Sequence, residues 1–199
     1  MKVSLEFYLR DDVVQISREL LGKVLCTKLD GQVTKAIITE TEAYAGVSDK
    51  ASHAYGGRRT LRTKPMYMRG GRAYVYLCYG IHHLFNVVTN TTGTPHAVLI
   101  RAGKSFEGFE LMHKRRNKRL GVESLLTGPG SLSQALGITT ALTGTNLLGD
   151  KIWIEDHEIS VAAEEILSGP RVGIDYANED STRPYRFIVD LNSVAPGFT

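Results

Sequence analysis

Two glutamates, Glu40 and Glu42, stand two positions apart in a segment with the composition of a β-strand, Ile37 to Tyr44. Successive side chains of a strand point to opposite faces, so Ile38, both glutamates and Tyr44 would share one face. A carboxylate beside an aromatic ring, on a face that begins with an apolar residue, is unusual for a plain surface strand and could carry acid–base chemistry. The alternative is an exposed sheet edge with two solvated glutamates, and strand geometry alone does not choose which carboxylate would act.

Tyrosine and basic residues interleave in the middle of the chain. From Lys50 through Phe106 there is no Asp or Glu, and nine of the 24 Lys and Arg residues fall there, which leaves 15 for the rest of the chain against all 21 acids. Interleaved tyrosine and arginine suit the stacking of nucleic-acid bases and the neutralisation of phosphates. The alternative is an aromatic core with a solvated basic rim, and both can hold at once. The tyrosines of this region are Tyr44, Tyr55, Tyr67, Tyr74, Tyr76 and Tyr79, and the basic residues are Lys50, Arg58, Arg59, Arg62, Lys64, Arg69, Arg72, Arg101 and Lys104.

The usual ligand residues do not form a metal or cofactor motif. The six histidines make no H-E-x-x-H sequence, and none pairs with the two cysteines at zinc spacing. The pairs Gly56-Gly57 and Gly70-Gly71 lack the lysine and hydroxyl of a Walker loop and only permit close approach of the backbone to a phosphate. We therefore expect no catalytic metal and no cofactor.

Hydrophobic periodicity and turn residues predict the elements that must position these side chains. A helix over 13–21 follows two aspartates and stops at Gly22, and Asp30-Gly31 is a good hairpin turn. The mostly polar segment 45–71 is long for a structureless loop, so it is functional or contains short helices. Strands are predicted at 23–29, 34–44, 74–78, 84–89, 96–102, 151–155 and 186–190, with further helices at 106–119 and 129–136.

Strands joined by hairpins indicate an antiparallel sheet with helices packed around it, which is an α+β fold. We expect a single domain over residues 1–199, built on a curved antiparallel β-sheet or partly open barrel with surrounding helices. Cys26 and Cys78 lie in apolar, strand-like runs, which predicts buried thiols in a reducing compartment. The first residues do not form a signal peptide and no apolar run approaches about 18 residues, so we expect a cytoplasmic protein with no membrane partner.

Several short motifs occur together in one order along the chain. They are Glu40-Thr41-Glu42-Ala43-Tyr44, His53 with Gly56-Gly57-Arg58, Tyr74-Val75-Tyr76 with Tyr79-Gly80, Asn86-Val87-Val88, Val98-Leu99-Ile100-Arg101, Gly128-Pro129-Gly130 and Arg171-Val172-Gly173. In these motifs the chain resembles, over essentially its whole length, the alkyladenine (3-methyladenine, methylpurine) DNA glycosylase family. The resemblance implies a base-excision-repair enzyme that flips 3-methyladenine, 7-methylguanine, hypoxanthine or ethenoadenine out of duplex DNA. Such an enzyme hydrolyses the N-glycosidic bond with a glutamate-activated water and leaves an abasic site, without lyase activity.

The resemblance also implies roles for individual residues of the reaction centre. Glu42 matches the general base, Arg101 matches a residue that helps to fix the attacking water, and the main-chain carbonyl of Val172 matches another ligand of that water. Glu40 is then a neighbour of unknown role. The walls of the base pocket match Tyr44, His53 and Tyr76, and Asn86 matches the residue that rejects normal guanine by crowding its exocyclic amine. An asparagine in a strand is otherwise more often a structural hydrogen bonder.

The implied partner is double-stranded DNA that contains damaged purines, bound by a monomer. Tyr79 matches the residue that enters the duplex, Ile81 and His82 follow it into the minor groove, and Arg58 and Thr60 match phosphate contacts. Ile81, His82 and Thr127 depart from residues common in relatives, which leaves the range of substrates open.

Two functions of other classes compete with this one. A DNA-binding module that lost catalysis is disfavoured because both Glu42 and Arg101 are present. A hydrolase of free nucleosides is disfavoured by the basic stretch and by Tyr79.

Overall fold

The computed structural model describes residues 1–117 and 124–190, and an antiparallel sheet forms its centre. Its strands are β1 (Val24–Leu29), β2 (Gln32–Tyr44), β3 (Arg72–Cys78), β4 (His82–Thr89), β5 (His96–Glu107), β6 (Ile152–Glu155), β7 (Leu167–Gly169) and β8 (Arg186–Ile188). Hydrogen-bonded neighbours follow the order β3-β4-β5-β2-β1-β6, while β8 pairs with β2 and β7. Every one of these pairings is antiparallel.

Strand β2 is the element around which the sheet curls. One edge of β2 pairs with β5, and on the other edge β1 pairs with its first half and β8 with the stretch Glu40–Glu42. The register against β5 shifts on both sides of Glu40, and such irregularities bend a strand and increase its twist. The sheet forms a curled half-barrel with helices around it, which confirms the predicted α+β fold with a curved antiparallel sheet.

The α-helices are α1 (Leu5–Leu9), α2 (Val13–Glu19), α3 (Phe109–Arg116) and α4 (Pro129–Leu136). Helix α2 covers one face of β2, where the hydroxyl of Ser17 donates to that of Thr41 at 3.0 Å and Thr41 donates to the Ser17 carbonyl at 2.9 Å. Because neighbouring strand residues point to opposite faces, Glu42 points away from α2. None of the helices in the described ranges is both long enough and apolar enough to cross a membrane.

The structure agrees with most of the predicted elements and moves some of their ends. The Asp30-Gly31 hairpin forms with φ of 51° and 76°, as two-residue hairpin turns require. The segment 45–71 contains 3-10 helices at Gly46–Ser48, Tyr55–Gly57 and Lys64–Tyr67, as its length suggested.

The predicted helix over 106–119 is wrong at its start, because β5 continues to Glu107 and α3 begins only at Phe109. Gly108 makes the turn with φ of 84° in a space where a β-carbon would lie 2.6 Å from the Val33 carbonyl. Positions 118 and 119 of that prediction lie outside the described residues. Helix α1 and strand β7 were not predicted, because five and three residues are too short to show a period.

Candidate active site

A cavity of about 570 Å³ opens on the face of β2 that α2 leaves uncovered. This is the size range of small-molecule sites in proteins. Its walls come from β2 to β5, from segment 45–71, from the start of α4 and from the stretch around residue 172. Most of the predicted site residues line it together, namely Tyr44, His53, Tyr76, Tyr79, His82, Asn86, Arg101 and Val172.

Glu42 lies directly behind this cavity and is fully buried. Its Oε1 accepts the main-chain N–H of Val172 at 2.8 Å, and its Oε2 accepts the hydroxyl of Tyr44 at 2.8 Å. A guanidinium nitrogen of Arg101 lies 3.4 Å from Oε1. A carboxylate offers about four acceptor directions, and these three neighbours among the described residues account for three of them.

Burial raises the pKa of the Glu42 carboxyl above its ordinary value, and this effect exceeds the opposing ones. Arg101, the Val172 N–H and the Tyr44 hydroxyl all favour the ionised form and lower the pKa, whereas Glu40 raises it slightly. A carboxylate with a raised pKa is a stronger proton acceptor than a solvated one, which suits a general base.

The other carboxylate of the pair, Glu40, binds two arginines and does not line the cavity. Its Oε1 accepts Nε of Arg101 at 2.7 Å and Nε of Arg186 at 2.6 Å. Glu40 is 8% exposed and Glu42 is fully buried, so the alternative of two solvated glutamates on a sheet edge is wrong. Glu40 therefore holds Arg101 in an orientation in which another guanidinium nitrogen lies 3.4 Å from Glu42.

His53 and Tyr76 form an aromatic part of the cavity wall, and the ring of Tyr74 packs against both of them. The ring centroids of His53 and Tyr76 lie 4.6 Å apart with the planes at 79°. His53 Nδ1 lies 2.8 Å from the Tyr74 hydroxyl, and its Nε2 lies 3.2 Å from a guanidinium nitrogen of Arg62. Arginine can only donate, so Nε2 is the acceptor and Nδ1 carries the proton.

His53 is uncharged at neutral pH. Burial, followed by the charges of Arg62 and Arg58, lowers its pKa to about 4. The wall can therefore meet a cationic ring without charge repulsion from the imidazole. The aromatic-core interpretation of the tyrosine-rich region holds for Tyr67 and Tyr74, which belong to a small buried cluster, whereas Tyr79 is 91% exposed.

Asn86 is 3% exposed and lines the cavity from β4. Its Nδ2 donates to the carbonyls of Tyr74 at 3.1 Å and Leu84 at 3.3 Å. The amide group is thus locked by the sheet, and it is at once a structural hydrogen bonder and part of the pocket wall.

The turn between β3 and β4 carries Tyr79 to the mouth of the cavity. Tyr79 has φ of 51° and Gly80 has φ of 74°, so a large side chain sits in a left-handed conformation at a hairpin tip. Such a backbone costs a non-glycine residue about 1–2 kcal/mol. Ile81, 71% exposed, stands beside it outside the cavity lining, and His82 forms part of that lining.

Arg58 and Thr60 do not line the cavity but lie exposed on the neighbouring segment 55–63. The Thr60 hydroxyl accepts the N–H of Thr63 at 3.2 Å, and the Arg58 carbonyl accepts the Tyr67 hydroxyl at 3.1 Å. The loop is thus shaped by its own hydrogen bonds and leaves the Arg58 guanidinium exposed.

Sequence reasoning missed several residues of the site. Arg62 and Tyr176 line the cavity, and Asp49 and Arg171 form an ion pair behind it. Arg62 stood in the acid-free stretch and Asp49 just before it, but no periodic pattern shows which of these charges turns inward. Cys26 is buried as expected, whereas Cys78 is only half-buried and lines the cavity, which corrects the expectation of two buried thiols.

Comparison with known proteins gives one consistent result. A family model described as methylpurine-DNA glycosylase matches residues 6–193. A protein of Chlamydia abortus named as a 3-methyladenine DNA glycosylase is 48% identical over 188 residues, which cover 94% of this chain and 97% of that protein. Proteins of the same name from Desulfitobacterium hafniense and Bacillus cereus are 45% and 43% identical, with coverage of 93% to 95% in each direction.

Proposed function

This chain belongs to the methylpurine-DNA glycosylase family, and on that premise we propose that it excises alkylated or deaminated purines from duplex DNA by hydrolysis at C1′ of the deoxyribose. The observation that carries the proposal is the buried carboxylate of Glu42, held on both oxygens directly behind an aromatic-walled cavity. Its substrates would be 3-methyladenine, 7-methylguanine, hypoxanthine or ethenoadenine.

In the proposed reaction a water molecule donates a hydrogen bond to the fourth acceptor direction of the Glu42 carboxylate. Glu42 takes a proton from this water, the water oxygen bonds to C1′, and the C1′–N9 bond breaks with its electron pair leaving on the base. Arg101 and the Val172 carbonyl would help to fix the water. Positive charge that develops on the sugar is stabilised by the nearby carboxylate. A cationic alkylpurine leaves as a neutral molecule, whereas hypoxanthine must also gain a proton.

The base would lie between Tyr44 on one side and His53 with Tyr76 on the other. Stacking on such rings contributes about 1–3 kcal/mol per base. An uncharged His53 supports this role, because it adds no repulsion toward 3-methyladenine or 7-methylguanine. Asn86, locked against β3, would crowd the exocyclic amine of normal guanine.

Binding to the duplex would use the exposed hairpin tip and the basic loop beside the cavity. Tyr79 would fill the space that the extruded nucleotide leaves, with Ile81 and His82 in the minor groove and Arg58 and Thr60 at phosphates. We propose that the protein acts on DNA as a monomer. Because the proposed substrate is chromosomal DNA, we propose that the protein acts in the cytoplasm, at the nucleoid.

The test is a panel of labelled duplexes, each with one of the four lesions, compared with an undamaged duplex. We expect release of the damaged base and an abasic strand that breaks only after alkali treatment. Retention of every lesion would contradict the proposal, as would cleavage of free nucleosides at the same rate as duplex lesions.

The excision rate should fall in mild acid, because Glu42 must be ionised to accept a proton and burial raises its pKa. Below that pKa the single-turnover rate on the fastest-cleaved cationic lesion should decrease about tenfold per pH unit. The midpoint should lie above about 4.3, the ordinary value for a glutamate. A cationic lesion is the right substrate, since its departure needs no separate protonation. A rate that stays constant down to pH 4.5, in protein shown to be folded by circular dichroism, would contradict the assignment of Glu42.

A further inference from the structure

One ion pair of the described residues is sealed completely from solvent, and it lies directly behind the cavity. Arg171 and Asp49 have fully buried side chains and bind each other through two hydrogen bonds, at 2.5 Å and 2.8 Å. Removing two charges from water costs as much as their attraction returns, so such a pair is weak evidence for stability by itself. The groups that the pair holds in place are therefore more informative than its contribution to stability.

The Asp49–Arg171 pair connects three separate stretches of the chain. Arg171 also donates to the carbonyls of Ala43 at 2.8 Å and Asp180 at 3.2 Å. The Asp49 carboxylate accepts the main-chain N–H groups of Ala45 and Ala51, each at 3.0 Å. The end of β2, the segment that follows it and the stretch around residue 171 are thereby held in one arrangement.

This arrangement determines what meets each oxygen of Glu42. The residue after Arg171 is Val172, whose N–H lies 2.8 Å from Oε1. The Arg171 guanidinium lies 4.8 Å from the ring centre of Tyr44, whose hydroxyl donates to Oε2 at 2.8 Å. Both hydrogen bonds that orient the carboxylate thus come from groups that Arg171 places.

We propose that the buried Asp49–Arg171 pair is a positioning element that aims the Glu42 carboxylate for catalysis by holding the Val172 N–H and the Tyr44 ring against it. This inference rests on the proposed function, because it concerns how the base of that reaction is set. Neither residue touches the reacting atoms, so their effect passes through Val172 and Tyr44.

The consequence concerns the protonation of Glu42. The charged groups that face it are Arg101, Arg171 and Glu40, and the neutral ones are Tyr44, Tyr76 and Tyr176. The Val172 hydrogen bond lowers the pKa of Glu42 against the larger raising effect of burial. If that bond is lost, the carboxyl holds its proton to higher pH, and the acid limb of the rate profile moves upward.

Arg171→Lys and Asp49→Glu test the proposal, since each disturbs the bidentate geometry, keeps the charge of the residue that it replaces and changes the volume little. We expect the midpoint of the acid limb to move up by about half to one pH unit, the size of one net hydrogen bond. The rate at the plateau should fall as well. Ile154→Ala, in β6 on the far edge of the sheet, is the control for lost stability and should leave the midpoint unchanged.

An acid limb that stays in place in both variants, while the rate drops equally at every pH, would overturn the positioning role. If neither variant folds, NMR of the natural protein decides the matter. The amide proton of Val172 should then titrate with the midpoint of the rate profile, and an amide that does not respond would overturn the proposal. Failure of the proposed function would look different, because the natural protein would then excise no lesion at all.

Discussion

Glu42→Gln is expected to lower the single-turnover rate of base excision by about 100- to 10,000-fold, the usual contribution of a positioned general base. The amide oxygen can still accept the Val172 N–H, and the amide group fills the same space, so binding of lesion duplex should persist. Rates on the most rapidly cleaved lesion duplex, with a binding titration beside them, provide the measurement. Glu19→Gln, on the outer part of α2, is the matched control and should keep full activity.

The same substitution should leave the melting temperature unchanged or raise it. Because folding raises the pKa of Glu42, the stability that this group contributes is complete below its unfolded pKa and is lost as the pH rises through the folded value. At neutral pH the ionised carboxylate is therefore a net cost to the fold, and glutamine removes that charge. Loss of activity together with a large drop in melting temperature would instead show that Glu42 serves the fold, and full activity would show that another group is the base.

Tyr79→Ala should slow excision from fully paired duplex by about 10- to 100-fold, because extruding a base costs a few kcal/mol that the ring would otherwise offset. On a lesion placed in a mismatch or in a single strand, where little pairing must be broken, the loss should be much smaller. Alanine keeps the β-carbon, so the strained left-handed backbone at the hairpin tip is present in both proteins and the difference reports the ring alone.

Leu167→Ala removes another exposed apolar side chain, 69% exposed against 91% for Tyr79, from β7, away from the cavity, and should have no effect on either substrate. Equal losses for Tyr79→Ala on paired and unpaired lesions would place the ring in the chemical step and not in base extrusion.

The parts of the fold that depend on local sequence were predictable. Strand positions followed from alternation, and the Asp30-Gly31 turn followed from the left-handed conformations that these two residues accept. The start of α3 was not predictable from the sequence. Pairing of β5 with β2 continues the strand through Phe106 to Glu107, and a helical pattern of residues does not show that strand pairing competes with the helix there.

The candidate site depended on contacts that are distant in sequence. Alternation correctly placed Glu40, Glu42 and Tyr44 on one face, yet it could not show that the face is buried. The arginines that bind Glu40 come from 61 and 146 positions away. Likewise the Val172 N–H reaches Glu42 across 130 positions, so only the family resemblance indicated that these stretches meet.

The pairing of β2 with β8 has a consequence for synthesis of the protein. The two glutamates precede Arg186 and the Val172 N–H by 130 positions or more, so they are synthesised well before these partners. The full set of hydrogen bonds that holds Glu40 and Glu42 can therefore form only after residue 186 has left the ribosome and the stretch 167–188 has docked onto β2.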